Sequence, residues 1–371
     1  MTLHAVVIPK WGLAMEEGTL TSWLIAEGAA VKPGLEIAEI ETSKIANVLE
    51  VQTTGILRRH VAAVGEVKPL GAIIGVIADA DEDDCEIDAF IAEFESHFAT
   101  EEQTGTKGPL PEVVQVYGKP IRFLKVAGSD GASGTPMLLI HGFGGDYLNW
   151  MFNQGALAAA RDVYAIDLPG HGGSTKEVGD ATLESLAASV LGWMDVQDLA
   201  MVHLVAHSMG AGVALVLALK EPDRVKSLTA LNGVGFGGTL NRDYVEGFVA
   251  AQKRKDLKPV AGLLFANGDL VTREMLEDLI AYKRIDGVEE ALRLLIDNAL
   301  SEGSLAALDG KPDDLEVALL PIYGAEDHVV RTPAADKRAG AVVIEKTGHM
   351  PHLEAADNVN ARIIAFAAAN D

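Results

Sequence analysis

Three residues of this 371-residue chain sit in settings that suit nucleophilic acyl transfer, and a fourth suits covalent attachment of a carrier group. Ser208 stands in Ala206-His207-Ser208-Met209-Gly210, with Gly212 close behind. Small residues two before and two after a serine are what a sharp strand-to-helix turn needs, because that turn presses backbones together. Gly210 meets the need, and Ala206 fills a place where glycine is commoner. A serine hydroxyl is a poor nucleophile near neutral pH. A histidine must take its proton, and an acid must hold that histidine in the right tautomer. His349, in Gly348-His349-Met350-Pro351-His352, is the expected base, and Asp327, in Gly324-Ala325-Glu326-Asp327-His328, the expected acid. His352 and Glu326 are their nearest competitors. The expected oxyanion donors are the backbone N–H groups of Met209, at the start of the elbow helix, and of Phe143, in His141-Gly142-Phe143-Gly144-Gly145. The fourth residue, Lys44, lies in Glu41-Thr42-Ser43-Lys44-Ile45 and is expected on an exposed hairpin tip.

Two kinds of element must position these groups. Around Lys44 the sequence repeats itself: Gly18, Gly28 and Gly34 recur as Gly55, Gly65 and Gly71 at one constant offset, as do Leu20/Leu57, Ile37/Ile74 and Ile40/Ile77. Short apolar runs lie between glycines and prolines, so each copy reads as strand–turn–strand. Two copies predict a small all-β sandwich over residues 1–80, with Lys44 after the last strand of the first copy. Further on, strands and helices alternate. Apolar strands at 137–140, 163–166, 202–206, 227–231, 317–323 and 342–344, with helices at 212–220 and 361–369, predict a mostly parallel sheet flanked by helices over 112–371. Ser208, Asp327 and His349 each follow one of these strands, where such sheets gather functional groups. Between the two domains, residues 81–111 read as an acidic linker. Ile87, Phe90, Ile91, Phe94 and Phe98 within it form the apolar face of a short helix that docks on a domain or a partner.

Composition narrows the classes. A formal net charge of −24 argues against nucleic acid as a partner. No apolar run is long enough to cross a bilayer, and the start lacks the pattern of a signal peptide, so a cytoplasmic location is expected. Cys85 is the single cysteine and no Cys/His spacing suggests a metal.

Residues 6–79 resemble the lipoyl domain of 2-oxo-acid dehydrogenase complexes. The likeness rests on Pro9-Lys10-Trp11-Gly12-Leu13, Met15-Glu16-Glu17-Gly18-Thr19, Trp23 and Glu41-Thr42-Ser43-Lys44. It implies lipoic acid in amide linkage to Lys44, with Ser43 where the family has Asp. A biotin carrier shares the fold, but its Met-Lys-Met flanks are absent. Residues 132–371 resemble the α/β-hydrolase superfamily through the elbow, His141 to Gly145, Asp167-Leu168-Pro169-Gly170-His171-Gly172 and the segments around Asp327 and His349. That likeness implies a Ser208–Asp327–His349 triad and a helical cap at about 235–310. Arg242, Lys253, Arg254, Lys255 and Lys258 gather in the cap, as a solvated face or as an attraction for a phosphorylated acceptor such as coenzyme A.

The arrangement as a whole resembles the acyltransferase components of bacterial acetoin dehydrogenase complexes. This implies transfer of acetyl from S-acetyldihydrolipoyl-lysine to coenzyme A, beside a thiamine-diphosphate-dependent acetoin-cleaving component and a dihydrolipoyl dehydrogenase. The His-x-x-x-Asp-Gly string of ordinary lipoyl acyltransferases is absent, as is their basic peripheral-subunit-binding module. Neither partner docking nor oligomeric state is therefore set by the sequence. The rival reading is a serine thioesterase or esterase with a tethered carrier, since both share the acyl-enzyme and differ only in the acceptor.

Overall fold

The computed structural model describes residues 3–9, 17–41, 46–51, 53–80, 82–104, 109–129, 131–332 and 340–371. The chain divides into two units, Met1–Gly108 and Pro109–Asp371.

In the first unit the half-repeat is visible as geometry. Its strands are β1 (His4–Val7), β2 (Glu17–Trp23), β3 (Ala30–Val31), β4 (Glu36–Glu41), β5 (Ala46–Glu50), β6 (Gly55–His60), β7 (Val67–Pro69) and β8 (Ile73–Ala78). They form two four-stranded antiparallel sheets, β1-β8-β6-β3 and β5-β4-β2-β7. Leu20 pairs with Ile40 in one sheet, and their repeat counterparts Leu57 and Ile77 pair in the other. All four side chains, with Ile37 and Ile74, fill the core between the sheets. The repeated glycines turn the chain alike: φ is +85° at Gly28 and +89° at Gly65, values that glycine adopts without a Cβ clash. Strands β4 and β5 pair with Glu41 opposite Ala46. The expected hairpin tip with Lys44 lies between them, outside the described residues.

The helix expected as short runs from Asp84 to Thr104, as α1. Ile87, Phe90, Ile91 and Phe94 pack on Ile73, Val76 and Ala78, the residues of β8 that face away from the sandwich core. Arg58 and Arg59 bond Asp84 at the helix start, where a carboxylate also suits the dipole. This helix therefore belongs to the N-terminal unit.

The second unit is built on an eight-stranded sheet. Strands β9 (Glu112–Val116), β10 (Lys119–Val126), β11 (Met137–Ile140) and β12 (Val163–Ile166) lead, after the short α2 (Gln154–Leu157) between β11 and β12, to α3 (Leu183–Val196). Then come β13 (Val202–His207), α4 (Met209–Lys220) and β14 (Val225–Leu231). A two-residue strand β15 (Thr239–Leu240) and helices α5 (Arg242–Ala250), α6 (Arg254–Gly262), α7 (Arg273–Lys283), α8 (Val288–Asp297) and α9 (Glu302–Ala306) form the cap. The chain returns through β16 (Ala318–Gly324), β17 (Val330–Arg331), β18 (Val342–Ile344), α10 (Pro351–Glu354) and α11 (Ala356–Ala368). The sheet order is β18-β16-β14-β13-β11-β12-β10-β9, parallel from β12 to β18 and antiparallel at β10 and β9. Those last two strands extend the sheet beyond the set expected from the sequence. Helix α4 is buried nearly all round, which explains its continuous apolar sequence.

Candidate active site

The elbow forms because β13 is pinned on both sides and the chain must then turn at once into α4. Ala206 pairs with Ile140 on one side and Ala230 on the other. Ser208 follows with φ +54° and ψ −120°, a left-handed backbone for a residue with a Cβ. Such a conformation costs on the order of 1–3 kcal/mol and persists only where the surroundings enforce it. The surroundings do: the N–H of Ser208 donates to Leu231 O at 3.0 Å, and its carbonyl accepts from Ala211 and Val234. The hydroxyl does not cap α4, and the residue stays 6 % exposed. Gly210 must lack a side chain, since a Cβ there would lie 2.3 Å from His141 O. A Cβ at Gly142 would lie 2.8 Å from that of Ser208. The loop after β11 thus lies against the elbow at Gly142, and Phe143 follows next in that loop. Met209 is the first residue of α4, so its N–H has no acceptor within the helix.

The loops after β16 and β18 bring an acid and a base together. His349 Nδ1 and Asp327 Oδ2 are 2.8 Å apart, with side chains only 1 % and 5 % exposed. Asp327 Oδ1 accepts the N–H groups of Val329 at 2.7 Å and Val330 at 3.0 Å, which fixes the carboxylate. Pairing with a carboxylate assigns the ring proton to Nδ1 and leaves Nε2 as an acceptor. Of the two histidines and two acids weighed from the sequence, this pair is His349 with Asp327. His352 is fully buried with no hydrogen-bond partner for either ring nitrogen among the described residues.

Comparisons with known proteins agree with this architecture. A family model described as alpha/beta hydrolase fold matches residues 135–356, and one described as biotin-requiring enzyme matches residues 4–77. The dihydrolipoyllysine-residue acetyltransferase component of the acetoin cleaving system of Pseudomonas putida is 41 % identical, covering 98 % of this chain and 98 % of that protein. The chain belongs to this acetyltransferase-component family. The component of the same name from Cupriavidus necator is also 41 % identical, covering 97 % of this chain and 96 % of its own. A meta-cleavage product hydrolase from Pseudomonas fluorescens shares the fold, with a TM-score of 0.60 and 22 % identity over 69 % of this chain and 96 % of that one. Among the described residues no helix is long and apolar enough to cross a membrane, and no group of His, Cys, Asp and Glu is arranged to hold a metal.

In this member of the acetyltransferase-component family, buried histidines brace the site in ways the sequence did not disclose. His207, the residue before Ser208, bonds the carbonyl of His349 through Nε2 at 2.8 Å. Its ring packs between those of His349 and His352, with centroids 4.6 and 4.7 Å away. The elbow and the histidine loop are thereby joined directly. His171 accepts the N–H of Gly144 at 3.1 Å, and His141 accepts that of Leu168 at 3.0 Å. Both rings must be neutral to accept. Asp167 holds the same segment from below, taking N–H bonds from Tyr147 and Gly173 and an ion pair with Arg122. Burial pushes the pKa of His141, His171 and His207 down, so each stays neutral in the fold.

A pH dependence of stability follows. Burial lowers the pKa of His352 to about 3, against 6.5 for a free histidine. Below pH 6.5 the unfolded chain takes up a proton that the native ring refuses, so stability falls as pH drops, down to about pH 3. Each such histidine contributes a slope of at most about 1.4 kcal/mol per pH unit. Denaturant titrations of His352→Phe between pH 7 and 5 are expected to show a shallower loss than wild type by up to that amount. Equal slopes in the two proteins would show that His352 is not held neutral.

Proposed function

We propose that this chain transfers an acetyl group from S-acetyldihydrolipoyl-lysine to coenzyme A through an acyl-enzyme on Ser208. The observation that carries the reading is 41 % identity, along nearly the whole chain, to acetyltransferase components of acetoin-cleaving systems. The His349–Asp327 pair and the strained elbow supply chemistry suited to it.

Lys44 is the proposed point of lipoyl attachment. The fit is that of a primary amine in a four-residue connection between adjacent antiparallel strands. When bound, the lipoyl group supplies a dithiol arm that bears the acetyl as a thioester. In the first half-reaction Ser208 Oγ attacks the thioester carbonyl while His349 Nε2 takes its proton. The N–H groups of Met209 and Phe143 hold the oxyanion, a contribution of roughly 3–4 kcal/mol per donor. The C–S bond breaks and His349 returns the proton to the leaving sulfur. In the second half-reaction His349 takes the proton of the coenzyme A thiol, whose sulfur attacks the acyl-serine. The ester C–O bond breaks and Ser208 Oγ is reprotonated. Asp327 holds the imidazolium in both halves. The proposed partners are the thiamine-diphosphate-dependent acetoin-cleaving component and dihydrolipoyl dehydrogenase, in the cytoplasm.

The deciding experiment follows the acetylated full-length chain with and without coenzyme A. Acetyl-coenzyme A as the product supports the transferase. Free acetate released at the same rate without coenzyme A sinks it in favour of a tethered thioesterase. Lys44→Arg separates carriage from chemistry, because a guanidinium keeps the charge but is not the amine the linkage needs. Intact mass should show no lipoylation, and acetoin-dependent acetyl-coenzyme A formation by the assembled system should vanish. Transfer from free S-acetyldihydrolipoamide should persist. A lipoylated Lys44→Arg chain would place the attachment elsewhere.

A further inference from the structure

Coenzyme A carries its phosphates at the end remote from the thiol, and this chain has a formal net charge of −24. An anionic acceptor must therefore meet a local excess of cations. A cavity of about 300 Å³ in the cap offers one, between the segment that starts α6 and the end of α7. Lys253, Arg254 and Arg284 line it, with Glu277 as the carboxylate of the lining. Glu277 is already engaged by Arg254 at 2.9 Å and Arg273 at 3.0 Å. Among the described residues no ion pair is formed by Lys253 or Arg284, so these two lining cations are not paired with a carboxylate. Lys253 is also the N-cap residue of α6 and makes no side-chain cap bond, while Asp256 places a carboxylate in the first turn.

Packing contacts run from the cavity lining toward the proposed chemistry. Ala251, next to the lining residue Gln252, accepts a hydrogen bond from the buried ammonium of Lys283. That ammonium sits 5.4 Å from the ring centre of Phe248, and Phe248 packs edge-on against Phe143 at 5.9 Å. Phe143 belongs to the loop whose Gly142 abuts Ser208, so a chain of contacts links the cavity lining to that loop. Of the five basic residues clustered in the sequence, Lys253 and Arg254 line the cavity. Arg242 is turned away into a pair with Glu246, and Arg284 joins from α7.

We infer that this cap cavity binds the phosphate groups of coenzyme A, seating the nucleotide end while the thiol reaches toward the acyl-serine. The inference rests on coenzyme A being the acceptor. The test compares coenzyme A with pantetheine, which has the thiol but no phosphate, as acceptors for Lys253→Glu/Arg284→Glu. Loss of two charge-assisted contacts should raise the ratio of the two KM values about tenfold or more. Lys253→Gln/Arg284→Gln should give a smaller rise in the same direction, and guards against misfolding of the charge reversal. Calorimetric titration with adenosine 3′,5′-bisphosphate, a phosphate-bearing fragment without thiol, should show binding to wild type that weakens in both variants. Unchanged KM ratios and unchanged nucleotide binding in the variants, with wild type still forming acetyl-coenzyme A, would overturn the cavity while leaving the acceptor intact. Acetate as the wild-type product whatever the acceptor would remove both.

Discussion

Ser208→Ala is expected to reduce acetyl-coenzyme A formation by about 10⁶-fold, because the proposed nucleophile acts as one unit with its base and acid. The loss should fall on kcat, since Ser208 keeps its backbone bonds to Leu231, Ala211 and Val234 whatever its side chain. Alanine tolerates the elbow backbone no better and no worse than serine, for both carry one Cβ at φ +54°. Folding should thus be preserved and the deficit be chemical. Two readouts are needed: rapid-quench measurement of acetyl-coenzyme A, and mass detection of an acetyl adduct on the peptide containing Ser208 in wild type. A variant that retains more than about a hundredth of wild-type transfer would exclude an acyl-serine route. The acetyl group would then pass directly between thiols.

Asp327→Asn should cost about 10⁴-fold in kcat, and the structure explains why an isosteric change should be so damaging. Oδ1 of Asp327 accepts two backbone N–H groups, from Val329 and Val330. An asparagine must keep its only oxygen there, because its amide NH₂ cannot face those donors. The NH₂ is then forced toward His349 Nδ1, which must become the acceptor. The ring proton moves to Nε2, and His349 can no longer take the proton of Ser208. Little global stability should be lost, since both backbone bonds survive. An unchanged kcat would show that Asp327 does not set the tautomer. Glu326→Gln, at a residue whose N–H is bonded to Thr347 O, serves as the neighbouring control.

Much of this was legible in the sequence where one local rule was sufficient. The half-repeat could be read because turn glycines and inward apolar residues recur at one offset, and Leu20–Ile40 and Leu57–Ile77 indeed pair alike. The elbow could be read because Gly210 and the strand before it are local features. Strands β9 and β10 were missed because they form the antiparallel end of the sheet. Their alternation, with Lys119, Arg122 and Lys125 interspersed, is weaker than the continuous apolar runs of buried parallel strands. The bracing histidines were illegible for another reason. His207 meets His349 across 142 positions, and His171 meets Gly144 across 27, each through a backbone atom that leaves no mark on residue identity. The cap cavity was half visible: Lys253 and Arg254 are adjacent, while Arg284 arrives only through the packing of α7.

Helix α1 makes the two halves of a duplicated domain unequal. It covers the outer side of β8, leaving that strand buried along its whole length, whereas Glu36, Glu39 and Glu41 of the equivalent β4 remain exposed. The strands that flank Lys44, β4 and β5, belong to this second sheet. A pseudo-symmetric carrier would offer visiting enzymes two similar sides and no cue for telling them apart. Here one side is closed by the chain itself, and the other bears a row of carboxylates on β4, the strand that precedes the segment holding Lys44. The duplication supplies the scaffold, and the helix gives the carrier a front.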